Sequence, residues 1–239
     1  MTGRKPMRLI AFALLAALPL SAYSGVVVQT FTFPSLDYAT TLTSTFTPFD
    51  ASLGTLNSVT LTNAADFSLD AGIENLDHNP AGYNVYHIFT GFVSANLATG
   101  GGNVRIESSR TVEHPSFEHL TSYDGMTDFA GTSGYGVTDS GEANSSTYIS
   151  DFGSNGTGTS ATFTTATELA AFQGSSDLFL SVSGGWYGGF NLNNQSKQVR
   201  TLALQGSTIT LAYEYSPVPE PTTLCALGLG LLAARRRRR

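Results

Sequence analysis

From residue 207 to 215 the apolar character of the chain repeats every second position. Ile209, Leu211, Tyr213 and Tyr215 fall on one side, and Thr208, Thr210, Ala212 and Glu214 on the other. Successive strand side chains point to opposite faces, so this period of two describes a strand with one buried face and one wet face. The same chemistry recurs through the middle of the chain. Thr, Ser, Gly, Phe, Tyr and Val abound there, while helical windows rich in Lys, Glu and Ala are nearly absent, a balance that favours strand. Further strands are expected at 26–33, 41–47, 55–63, 83–95, 103–112, 146–152, 159–165, 177–183 and 199–205. Turn residues divide them: Asn79-Pro80, Gly100-Gly101-Gly102, Ser154-Asn155-Gly156 and Gly184-Gly185. Many short strands at this spacing predict an all-β fold, an antiparallel β-sandwich of jelly-roll type. One helical turn is expected at 168–172, capped by Thr167. The Gly-, Ser- and Asn-rich stretch 131–158 reads as a long surface loop region flanking one strand.

The two ends obey different physics. Arg4, Lys5 and Arg8 precede an apolar run of twelve residues, 9–20, and small residues stand at Ala22 and Ser24. That is the layout of a secretory signal peptide cleaved between Ser24 and Gly25, since the run is too short for a transmembrane helix of roughly 20 residues. At the other end a proline-rich spacer starts at Pro217, the segment 222–234 is mostly apolar, and Arg235, Arg236, Arg237, Arg238 and Arg239 close the chain. Proline fixes φ and turns the preceding residue away from the α region, so the spacer is extended. The apolar segment is expected to form a short hydrophobic helix in lipid, with the arginines held at anionic headgroups on the cytoplasmic side as a membrane stop. Thirteen residues at ~1.5 Å rise reach about 20 Å, short of a ~30 Å hydrocarbon core. Arginine snorkelling and local thinning absorb such a mismatch, and a short span suits a transient anchor. The expected division is therefore a leader at 1–24, a β-sandwich at 25–216 and a tail at 217–239.

Val218, Pro219, Glu220 and Pro221, followed by the apolar stretch containing Leu227-Gly228-Leu229-Gly230-Leu231-Leu232 and then the arginine cluster, resemble the PEP-CTERM sorting signal of Gram-negative bacteria. The resemblance implies export through the Sec machinery and a temporary stay in the inner membrane. It implies processing by exosortase, an integral-membrane cysteine protease-like transpeptidase, and delivery to the cell surface or extracellular matrix. Within the body, Phe46-Thr47-Pro48-Phe49-Asp50-Ala51-Ser52-Leu53-Gly54-Thr55-Leu56-Asn57-Ser58-Val59-Thr60-Leu61 is similar to the opening of the choice-of-anchor E domain. Leu169-Ala170-Ala171-Phe172-Gln173-Gly174 and Tyr213-Glu214-Tyr215 are similar to its later part. That domain is an exported bacterial module, and its family carries no assigned ligand or reaction. On physical grounds the same segment turns between Phe49-Asp50 and Gly54-Thr55, where Gly54 permits a backbone angle other residues resist. Leu53, Leu56, Val59 and Leu61 are core candidates.

Processing at both ends would change the electrostatics. The whole chain has 12 basic and 18 acidic residues and a formal charge of −6. With the tail cut just after Pro221, three bases leave with the leader and five with the tail, so Arg105, Arg110, Lys197 and Arg200 remain against 18 acids, Glu220 among them, a net charge near −14. Phosphate contacts need a basic surface, which argues against nucleic acid as a partner. Cys225 is the one cysteine and lies in the apolar tail. No disulfide can staple the exported region, so its stability must come from its own core.

Candidate chemistry is sparse. Asp139-Ser140-Gly141 is the triplet of aspartic proteases, but such enzymes need two aspartates sharing a proton and no second copy occurs; a turn is the favoured reading. His114 and His119, with Glu113 and Glu118, sit five apart around Pro115, which is not the i, i+4 spacing of helical zinc ligands. Asp66, Asp70, Glu74 and Asp77 make Ca2+ the one cofactor to consider, although the Asp-x-Asp-x-Asp-Gly loop is missing and solvated acids are favoured. Trp186 and Tyr187, beside Gly188, Gly189, Phe190 and nearby asparagines, form a candidate glycan-stacking patch; the competing reading puts Trp186 over the core. The sequence therefore leads to an exported structural or adhesive surface protein without catalytic residues. A carbohydrate-binding module with extracellular polysaccharide as partner is the second class, and a secreted hydrolase the remote third.

Overall fold

A computed structural model describes residues 24–36, 40–78, 86–114, 120–191 and 197–218. The expected leader through Tyr23 and the tail from Pro219 onward lie outside the described residues. What is described is two antiparallel sheets packed as a sandwich, as the period-two pattern predicts. Sheet A contains β1 (Gly25–Leu36), β3 (Gly54–Asn75), β6 (Gly134–Glu142), β9 (Ser160–Phe163) and β11 (Lys197–Pro217). Sheet B contains β2 (Thr41–Phe46), β4 (Tyr86–Thr99), β5 (Gly102–His114), β7 (Ser145–Ser150), β8 (Asn155–Thr157) and β10 (Leu178–Asn191). Sheet A runs β1-β11-β3-β6, with β9 also paired to β3; sheet B runs β2-β10-β4-β5-β7-β8.

The inward faces make one core. Ile209, Leu211 and Tyr213 of β11 meet Val59, Leu61, Phe67 and Leu69 of β3, and Val93, Leu97, Val104, Ile106, Leu180 and Val182 close over them from sheet B. Leu56 and Val59 are both buried although three apart, because a bulge at the pairing of Glu214 with Ser58 and Tyr215 with Leu56 inserts one residue and resets the alternation. Leu53, expected in the core, is instead 40% exposed. It ends a short 3-10 turn, Ala51–Leu53, with no inward face to contribute.

Several boundaries differ from the sequence expectation. The strand expected at 55–63 continues to Asn75, its inward positions Ala65, Phe67, Leu69, Ala71 and Ile73 keeping the period of two. The strands expected at 199–205 and 207–215 are one strand, β11. The supposed loop 131–158 holds β6, β7 and β8. Gly184-Gly185 is not a turn but lies within β10, where a Cβ on Gly184 would come within 2.9 Å of Gln205 Nε2 and 3.0 Å of Phe92 O. Here glycine marks close packing. The helix α1 (Ala166–Ala171) is capped by Thr165, not Thr167. Thr165 and Glu168 form a reciprocal capping box, each side chain accepting from the other's backbone N–H.

A polar network crosses the core between the sheets. Asn63 is fully buried, and its Nδ2 donates to Val93 O at 3.1 Å and Ile106 O at 3.3 Å, on two strands of sheet B. Its Oδ1 accepts from Ser207 Oγ at 2.6 Å, and its carbonyl accepts from Ser108 Oγ at 3.0 Å. The network stands where β3 exchanges one neighbour for another, since β9 pairs through Thr62 and β6 begins at Asp66. Two further ties join the sheets at their flanks. Gln29 exchanges two 2.7 Å hydrogen bonds with the Thr47 backbone, and Arg110 of β5 forms a forked ion pair with Asp139 of β6 at 2.5 and 3.0 Å.

Candidate functional site

The first and last strands of the sandwich are neighbours. Gly25 of β1 stands opposite Tyr215 of β11, and β11 stays paired to β3 as far as Pro217 opposite Gly54. Val218 N–H then donates to Leu53 O at 3.1 Å. The expected leader junction, Ser24 and Gly25, and the start of the expected sorting motif, Val218, therefore leave the fold at one pole. Pro219, Glu220, Pro221 and Arg235 to Arg239 lie outside the described residues.

This pole is built from the segment singled out in the sequence. Asp50 caps the 3-10 turn, its Oδ1 accepting from Ser52 N–H at 2.8 Å. That backbone donor holds the Asp50 carboxyl below its ordinary value. The turn delivers Gly54, whose φ is +152° and whose imagined Cβ would lie 2.0 Å from Ser216 O. No other residue lets β11 pass so close. The bulge beyond it turns Asn57 and Ser58 toward the last strand, where they bond Ser216 Oγ at 2.9 Å and Glu214 Oε2 at 3.0 Å. Phe49 packs against Tyr213 and Tyr215 with ring centroids 5.8 and 5.4 Å apart. Tyr213 donates its hydroxyl to Thr47 O at 2.9 Å, and burial pushes the phenol far above its ordinary pKa, keeping it a donor. Gly25 lies under the Tyr215 ring, which an added Cβ would meet at 2.4 Å. Sequence reasoning found Gly54 but missed that Gly25 and Tyr215 meet, because strand pairing across the whole chain is invisible to local pattern.

The other candidates separate. Trp186 and Tyr187 are adjacent on β10 and so face opposite ways. Trp186 is 7% exposed and packs edge-on against Phe67 at 5.9 Å, its indole N–H buried without a hydrogen-bond partner. It belongs to the core and cannot stack on a surface sugar. Tyr187 is 61% exposed and leans on Phe92, centroids 6.3 Å apart. Phe92 was not singled out, since its partner comes from another strand. Around the pair, the outward positions of β2, β10 and β4 include Thr41, Thr43, Ser181, Ser183, Ser94 and Asn96. Among the described residues none of the outward side chains on these three strands is charged, while Arg105 of the adjoining β5 donates its Nε to Ser94 Oγ at 2.8 Å.

The acidic residues do not converge. Asp66, Asp70 and Glu74 are four apart along β3, about 13 Å between neighbours. Glu74 is fully buried, and its carboxylate accepts from Phe129 N–H at 2.9 Å and Ser133 Oγ at 2.6 Å, pinning the 120–134 segment over the sheet. Among the described residues no group of three or more His, Cys, Asp or Glu is placed to hold a metal ion. Glu118 and His119 lie outside the described residues, as does the side chain of His114.

Asp139 is engaged with Arg110, whose hydrogen bonds hold its carboxyl below the ordinary value against the opposing effect of burial. Gly141 leaves space for that guanidinium, which an added Cβ would meet at 3.1 Å. This accounts for the Asp-Ser-Gly triplet as an ion-pair seat. Glu168 is disfavoured as a charge by burial, but hydrogen bonds from Ser154, Thr165 and Thr164 outweigh that and lower its pKa.

No curated protein matches the chain. Two solved structures share weak likeness. "Structure of infectious bursal disease virus Gx strain" aligns at 12% identity over 81% of this chain and 37% of that chain, with a TM-score of 0.20. The Gt strain structure aligns at 14% identity over 82% and 43%, with a TM-score of 0.16. The chain thus spans about two fifths of those viral chains, and at such scores they inform nothing further. The choice-of-anchor E likeness stays a resemblance of sequence. Among the described residues no helix is long and apolar enough to cross a membrane; the apolar segment 222–234 lies outside them. A family model described as the PEP-CTERM protein-sorting motif matches residues 217–239, beginning on the last residue of β11. The chain therefore carries, from the last residue of β11 onward, the PEP-CTERM sorting motif of an exported protein that exosortase processes at the membrane.

Proposed function

We propose that this protein is a structural or adhesive component of the cell surface or biofilm matrix, built as a choice-of-anchor E-like sandwich and delivered by its tail. The Sec machinery moves it out by its leader, the apolar segment holds it briefly in the inner membrane, and exosortase cuts or transfers it near Pro219-Glu220-Pro221. The observation that carries the reading is the match of the sorting motif to 217–239, placed where the last strand ends. The sandwich itself has no assigned reaction in this reading. Replacing Pro219, Glu220 and Pro221 together by alanine and fractionating the native host tests it. Retention of the variant in the inner membrane, with wild type at the surface or in the medium, is the expected result. Identical distribution of the two overturns the sorting mechanism.

A second reading, a carbohydrate-binding surface module for extracellular polysaccharide, is favoured by Tyr187 on Phe92. An exposed ring packed beside Phe92, set among Ser, Thr and Asn and bordered on β5 by the Arg105–Glu107 pair, offers a neutral sugar a stacking plane and hydrogen-bond partners. A glycan array on the exported protein and its Tyr187→Ala variant checks it. Binding that survives the substitution, or binding to no glycan at all, removes this reading.

A further inference from the structure

We propose that the pole where Gly25 and Val218 meet the fold is a membrane-contact surface, resting on the bilayer for as long as the tail is anchored. The proposal depends on the sorting-motif reading of the tail and adds a second contact to it.

The tether is the first argument. Val218 is fixed to the sandwich by its N–H to Leu53 O, and the apolar segment begins at Thr222. Four residue steps, fully extended, span at most about 14 Å. The headgroup layer on each side of the hydrocarbon fills roughly 6 Å of that. A sandwich anchored by this tail has less than about 10 Å of clearance, smaller than the diameter of one helix with its side chains. Prolines at 217, 219 and 221 restrict the spacer, so it cannot coil into a long flexible leash.

The second argument is the surface itself. Val26 is 57% exposed, Val28 56%, Leu53 40% and Val218 59%. Single exposed apolar residues are ordinary. These four are not scattered: they lie at or near the same ends of β1, β3 and β11, which are adjacent in sheet A, within about two strand spacings, ~10 Å, across the sheet and about 20 Å along it, since Val28 stands opposite Ala212, six residues from Val218. Asp50 and Glu214 lie beside them and are exposed. Apolar tips flanked by carboxylates suit a zwitterionic lipid surface and disfavour an anionic one.

The test uses the full chain in phosphatidylcholine vesicles containing lipid-borne quenchers, in a Cys225→Ser background. One fluorophore is placed at Leu53→Cys. The other is placed at Met126→Cys, on the segment pinned by Glu74, which lies twenty residues along β3 from Gly54 and so on the order of 60 Å from the pole. The expected result is flotation with the vesicles and quenching several-fold stronger at residue 53 than at 126. Adding Val26→Glu, at an exposed position opposite Glu214, should reduce the quenching at residue 53, with far-UV circular dichroism checking that the fold is kept. Phosphatidylglycerol in the vesicles should reduce it too. Flotation with equal or no quenching at the two sites overturns the contact while leaving the anchor intact, and unchanged quenching in the Val26→Glu chain overturns the apolar patch as its cause. A chain that does not float overturns the anchor reading beneath both.

Discussion

Replacing Asn63 by alanine should cost the sandwich more stability than any exposed change of similar size. Asn63 is the only described residue whose side chain bonds both sheets at once through the core, donating to Val93 O and Ile106 O while accepting from Ser207 Oγ. Three hydrogen bonds of about 1 kcal/mol net each set the scale at about 3 kcal/mol. Ser207 keeps an alternative acceptor in Ala64 O at 2.9 Å, so its hydroxyl is not stranded, which trims the expected loss to about 2–3 kcal/mol. For a domain of this length that is a drop of about 5–10 °C in Tm. Ser207→Ala strands the Asn63 Oδ1 in the core and should cost about 1–2 kcal/mol. The two side chains act through each other, so the double variant should fall short of the sum by about 1 kcal/mol. Urea unfolding of the four proteins measures this, with midpoints shifting at constant slope. A loss below about 0.5 kcal/mol for Asn63→Ala, or strict additivity in the cycle, would refute the network as a source of stability.

Arg110→Met should destabilise by about 1 kcal/mol at neutral pH, because the pair it breaks is about one quarter exposed on both sides and also satisfies Glu142 O. Arg110 depresses the folded Asp139 pKa, so its contribution is full above the unfolded carboxyl value of about 3.9 and disappears as pH falls through the lower folded value. Denaturation curves of the two proteins should therefore converge in acid, and a gap that widens there contradicts the assignment. Gly91→Ala pushes a Cβ to within 2.6 Å of the Trp186 ring and 2.8 Å of Phe67; overpacking of about 1–3 kcal/mol is expected, reported by a shifted emission of the chain's one tryptophan. Thr165→Ala removes half of a capping box and should lower stability by about 1 kcal/mol in the same unfolding assay.

The alternation around Ile209, Leu211 and Tyr213 was legible because it needs no partner to be seen. What was not legible depended on partners. Ala64-Ala65-Asp66 has poor strand propensity, yet it stays extended because β11 holds it throughout and Asn63 ties it to the opposite sheet. β6 carries three glycines, Gly134, Gly136 and Gly141, and becomes a strand by pairing along β3 from Asp66 to Glu74. The same limit governs the candidate sites. Trp186 and Tyr187 are adjacent in sequence and divided by the pleat, while Tyr187 and Phe92 are distant in sequence and share a face. The cap at Thr165 was available to local reading, since Thr165-x-x-Glu168 is a capping-box pattern.

The placement of β11 connects fold to delivery. It is the last of the described strands, yet it lies inside sheet A between β1, the first of them, and β3. A sheet whose interior strand comes last cannot close until nearly the whole body has crossed the membrane, and its pairings span almost the full chain, the arrangement that folds slowest. The β11 register ends with Val218 N–H on Leu53 O, already inside the sorting motif. Antiparallel hydrogen bonds lie perpendicular to the strand. Tension applied through the tail therefore runs along β11 and loads its two ladders in shear, so their bonds must yield together instead of one at a time. In the proposed role of a protein held by its tail, an interior strand bonded on both sides resists such tension about twice as well as an edge strand bonded on one.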